Sequence, residues 1–72
     1  MTTPALYTAD AVLSHHAPAH FDALVEALAD ESGVAGDLDM VAICRDALAG
    51  DAAARLRCAE VIAYANDRAA ND

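Results

Sequence analysis

Gly50 and Asp51 separate two stretches whose apolar residues mirror each other. Glycine readily takes the left-handed conformation that ends a helix, and aspartate is a favoured N-cap. The pair therefore reads as a tight turn between two helices, over about 38–49 and 52–69. In a hairpin folded there, levels pair where residue numbers sum to about 102, and the apolar periodicities agree with that register. Val41 is expected opposite Val61, Cys44 opposite Cys58, and Leu48 opposite Ala54. The apolar faces are Met40, Val41, Cys44, Ala47 and Leu48 on one helix, and Ala54, Cys58, Val61, Ile62 and Ala65 on the other.

The rest of the chain reads as helix too. Alanine fills 20 of the 72 positions, while glycine and proline together fill five. Alanine has the best helix propensity, and no alternating apolar run suggests a strand. Thr8 suits the N-cap of a short first helix over about 9–16, with Ala9, Val12, Leu13 and His16 at three-and-four spacing. Pro18 breaks that helix and opens a second over about 18–32, with Phe21, Leu24, Val25 and Leu28 on one stripe. Gly33 is expected to stop it, leaving 33–36 as a loop before Asp37 caps the third helix. The expectation is an all-α fold: one domain over 1–72, built as a small bundle of three to four helices with a C-terminal antiparallel helical hairpin. Residues 1–7 and 70–72 are expected to be a loose arm and tail. Leu6, Tyr7, Ile43, Leu56 and Tyr64 fall off the main stripes and are candidates for an exposed apolar patch, with ordinary core or rim packing as the alternative.

Charge narrows the function classes. The chain has twelve acidic residues, four arginines and no lysine, a formal net charge of −8. Residues 1–36 hold five acids and no Lys or Arg, and residues 37–72 hold seven acids and all four arginines. Such a chain repels phosphate backbones and anionic lipid, so no direct nucleic-acid contact and no membrane contact are expected. A protein with a basic surface is the partner that charge favours. A hydrophobic fraction of 57% sets the chain apart from a disordered acidic tail. No segment approaches ~20 consecutive apolar residues, and the N-terminus lacks the basic and apolar regions of a signal peptide. Two cysteines make no disulfide framework, so a cytoplasmic location is expected.

Catalytic or metal chemistry finds little support. His15, His16 and His20 cluster near Pro18, but a zinc site usually takes three or four ligands, and Asp22 is the sole nearby carboxylate. They read as surface or helix-end histidines, and no metal or cofactor is expected. Cys44 and Cys58 have no metal-knuckle spacing and read as buried, reduced thiols. A stretch from Asp30 to Val41 fails as an EF-hand, because position twelve is Val41 rather than Glu. Paired-carboxylate catalysis requires a cleft and a raised pKa, for which so small a helical domain has little room. The chain is expected not to be an enzyme.

One acidic run invites a functional reading, beside the plainer one of a solvated face with aspartate caps, which Asp37 and Asp39 fit well. Asp22, Glu26, Asp30, Glu31, Asp37 and Asp39 lie on the second helix, the following loop and the third helix start, and are the candidate protein-binding residues. Acids at i,i+4 on a helix are about 6 Å apart, whereas DNA carries one charge per ~1.7 Å of axis. One helix face is thus a sparse imitation of a nucleic acid, and loop acids or a second subunit would have to add density. The expected function is stoichiometric inhibition or modulation of a target by covering its basic surface. In size, acidity and alanine content the chain resembles small accessory proteins of phages and mobile elements of GC-rich bacteria, including some anti-CRISPR proteins, and that resemblance implies a surface blocker. The alternative is a structural or adaptor module, such as a homodimer held by apolar contacts, in which charge serves solubility alone.

Overall fold

The structure, a computed structural model, describes residues 6–71. These residues form four helices and no strand: α1 (Ala9–His15), α2 (Pro18–Ala35), α3 (Leu38–Leu48) and α4 (Ala52–Asn71). Each start follows from local chemistry. The Thr8 side chain accepts the Ala11 N–H at 3.1 Å, and Pro18 occupies the first turn of α2. Asp37 Oδ1 accepts the Met40 N–H at 3.1 Å, and Asp51 Oδ2 accepts the Ala54 N–H at 2.8 Å. Each cap satisfies an amide that the helix leaves without a partner.

The end of α2 differs from expectation. The helix runs through Gly33 and closes at Gly36, whose φ is 80°. The Gly36 N–H donates to the Gly33 carbonyl at 3.2 Å, and the Asp37 N–H donates to the Ser32 carbonyl at 2.9 Å. This pair of bonds is the Schellman arrangement, which needs its left-handed residue at Gly36 and leaves Gly33 as ordinary helix. The same arrangement ends α3. Gly50 has φ 102°, its N–H donates to the Ala47 carbonyl, and the Asp51 N–H donates to the Asp46 carbonyl, both at 3.1 Å.

Packing places α4 at the centre, with α1 and α3 against it, while α2 packs mainly on α3. The core comprises Val12, Phe21, Val25, Met40, Cys44, Ala47, Ala54, Cys58, Ala59 and Ala63. Six of these ten side chains are alanine or cysteine of α3 and α4, small residues that let helices approach closely. Two contacts link α3 to α4: Cys58 Sγ lies 4.0 Å from Cys44 Sγ, and Arg55 donates to the Ala47 carbonyl at 3.0 Å. Both join residues whose numbers add to the sum required of an antiparallel turn at 50–51.

Several sequence expectations need correction. Ala59 and Ala63 are buried on α4 while Ala65 is exposed, because α1 covers a flank of α4 that the single stripe did not anticipate. Leu48 is exposed rather than core. Leu6 and Ile43 are half-buried against the core, so the exposed apolar set narrows to Tyr7, Leu56 and Tyr64 from those anticipated. Leu6 is also tied down, its carbonyl accepting from Asn66 Nδ2 at 3.0 Å. α4 continues to Asn71, whose side-chain amide donates to the Asp67 carbonyl at 2.9 Å. The arm at 1–5 and the last residue lie outside the described residues.

Candidate functional site

The six acidic candidates sort by what each does for the fold. Asp22 on α2 is paired: Arg55 of α4 reaches it at 2.9 Å. The same guanidinium lies 4.7 Å over the Phe21 ring. Asp22 is thus a bridge between helices, with 44% of its side chain still exposed. Asp37 and Asp39 favour the N-terminus of α3, one as its cap and the other in its first turn, where the helix dipole stabilises negative charge. Glu26, Asp30 and Glu31 have no such role. They are exposed on α2 and cap no helix end.

Glu26, Asp30, Glu31, Asp37 and Asp39 form no ion pair among the described residues. The positive charge is placed elsewhere. Arg57 meets Glu60 at 3.3 Å within α4, and Arg68 lies 5.9 Å over the Tyr64 ring on the same helix. α2 itself contains no Lys or Arg. The unpaired carboxylates thus lie on α2 and the α3 start, while three of the four arginines are on α4 and Arg45 is in the last turn of α3.

The turn at Gly36 adds what the acidic run lacked. Val34 and Leu38 flank it and are 92% and 73% exposed, the largest values among the bulky apolar side chains. Scattered apolar side chains are ordinary on a surface, but two within five residues, amid Asp30, Glu31, Asp37 and Asp39, make an apolar point with an acidic surround. Sequence reasoning missed both. By sequence Val34 falls in the expected 33–36 loop and Leu38 at the start of the third helix. Their absence from the two apolar stripes was the available signal.

Beside the corner, α2 and α4 leave a shallow groove of about 170 Å³. Leu24, Leu28, Val61 and Ile62 line it with alanines and Asn66, and Glu31 is its one charged wall. The groove thus offers apolar contact area beside a single carboxylate.

The histidines sit at the α1–α2 junction. His15 Nδ1 lies 2.9 Å from the Ala11 carbonyl. The His16 and His20 rings stack with centroids 4.7 Å apart and planes 12° from parallel. No group of three or more His, Cys, Asp or Glu side chains arranged to hold a metal occurs among the described residues. No described helix is long and apolar enough to cross a membrane. Comparison with family models, with curated proteins and with solved structures gives no match.

Proposed function

We propose that this chain works by binding another protein, docking its α2–α3 corner and the outer face of α2 onto a basic surface of the partner. The observation that carries the proposal is the set of unpaired carboxylates around exposed Val34 and Leu38. Unpaired charge of one sign steers a basic partner and fixes its orientation. Apolar side chains that become fully covered supply the contact energy that screened surface charge cannot. Asp37 and Asp39 extend the α2 row of acids around the corner, adding density that a single helix face lacks. Covering the partner's surface would inhibit or modulate it stoichiometrically.

The test is affinity capture from cells of the source organism using the immobilised chain, followed by titration of the captured protein. Leu38→Ser and an Asp30→Lys/Glu31→Lys double variant, which leaves the Asp37 cap intact, should each lose at least tenfold in affinity, while Leu56→Ser should bind as the original does. Binding indifferent to all three would remove the corner from the account.

A second reading has its own observation. Tyr64 is 62% exposed and Leu56 43% exposed on α4. A homodimer built on that face would leave charge to serve solubility. Light scattering on Tyr64→Ser separates the readings: dissociation of a tight dimer favours the second, and an unchanged monomer favours the first.

A further inference from the structure

We propose that Cys44 and Cys58 form a modification site: a dithiol pair that a small-molecule disulfide oxidises to a covalent link between α3 and α4. The two thiols are free, fully buried and in contact, with Sγ atoms 4.0 Å apart. They come from facing levels of two helices joined by the Gly50-Asp51 turn. Ala47 and Ala54, small and buried in the same core, lie one turn nearer the Gly50-Asp51 turn. A disulfide has its sulfurs about 2.05 Å apart, so each must advance by roughly 1 Å. Side-chain rotation with slight approach of the helices supplies that.

The reaction balances with one oxidant molecule. One cysteine, as thiolate, attacks a sulfur of the small disulfide and expels its other half as a thiol. The second cysteine, losing its proton to solvent, attacks the protein sulfur of that mixed disulfide and expels the remaining half. Two protein S–H bonds are lost, one S–S bond forms, and the oxidant leaves as two thiols. Cys44 is the better first nucleophile, because it accepts the Cys58 thiol hydrogen. Burial pushes both thiols up, and Cys58 reaches about 12. Oxidation therefore proceeds through transient opening of α3 from α4 and is slow.

The cross-link spans 14 residues of sequence. Closing a loop of this size restricts the unfolded chain, and for a domain this small the melting temperature should rise by about 10–20 °C.

Incubating the folded protein with excess oxidised glutathione in native buffer, then measuring intact mass without reductant, tests the site. The expected product is a monomer lighter by two hydrogens, free of glutathione, with the raised melting temperature, and restored by dithiothreitol. Cys58→Ser should instead retain one glutathione. If that variant does not fold, the mass and melting shift of the original chain decide alone. A persistent glutathione adduct, a disulfide-linked dimer, a lowered melting temperature, or closure only in denaturant would each overturn the proposal.

Discussion

Arg55 of α4 bonds Asp22 of α2 at 2.9 Å across 33 residues of sequence, while the Ala47 carbonyl takes another of its hydrogen bonds. The guanidinium also covers the buried Phe21 ring. Three helices thus meet on one half-buried side chain. Arg55→Ala should cost about 1–3 kcal/mol in urea unfolding, since it removes a charged hydrogen bond, a carbonyl partner and a cation–π contact. Arg57→Ala, which loses only the exposed pair with Glu60, should cost about 0–0.5 kcal/mol. Equal costs would mean that Arg55 does not tie α2 to α4.

Gly33 and Gly36 should respond with opposite sign to alanine. Gly33 lies in the last helical turn, and a Cβ there would meet nothing closer than Val41 Cγ2 at 4.0 Å. Gly33→Ala should stabilise by about 0.5–1 kcal/mol through lower unfolded-state entropy. Gly36 has open space around it but a φ of 80°, so Gly36→Ala should destabilise by about 1 kcal/mol. Thermal melts of the two variants check the pair, and a stabilising Gly36→Ala would contradict the helix end described.

Alkaline pH should weaken the fold through the thiols. Burial raises Cys58 from 9.0 to about 12, and raises Cys44 as well. A thiol with a raised folded pKa holds its proton more tightly in the folded state. Its contribution is complete below pH 9 and is lost as pH rises from 9 toward 12, where the unfolded chain ionises first. Urea midpoints should fall across that window, and fall less for Cys58→Ala relative to its own value at pH 8. An equally steep fall in the variant would place the pH dependence elsewhere.

Local punctuation was the legible part of this sequence. Thr8, Pro18, Asp37, Asp51 and Gly50 all act through neighbours within a few residues, so their roles follow from residue type and spacing. Gly33 and Gly36 show the limit: either can end a helix, and only the bonds made by Gly36 and Asp37 choose between them. Long-range choices were not legible. Nothing near Asp22 announces Arg55, and Ala59 and Ala63 become core only because α1 lies over that flank of α4. For the acidic site, the sequence located the carboxylates, but separating Asp22 from the rest and adding Val34 and Leu38 required three-dimensional exposure and pairing.

In the proposed complex the unpaired acidic corner and its apolar point meet a basic protein surface. The most direct measurement is the dissociation constant of the captured partner at about 50 and 300 mM salt, for the original chain and for Asp30→Lys/Glu31→Lys. The account predicts affinity that weakens at least tenfold with salt in the original, and weaker, less salt-sensitive binding in the variant. Affinity that is flat across salt and the same in both chains would contradict it.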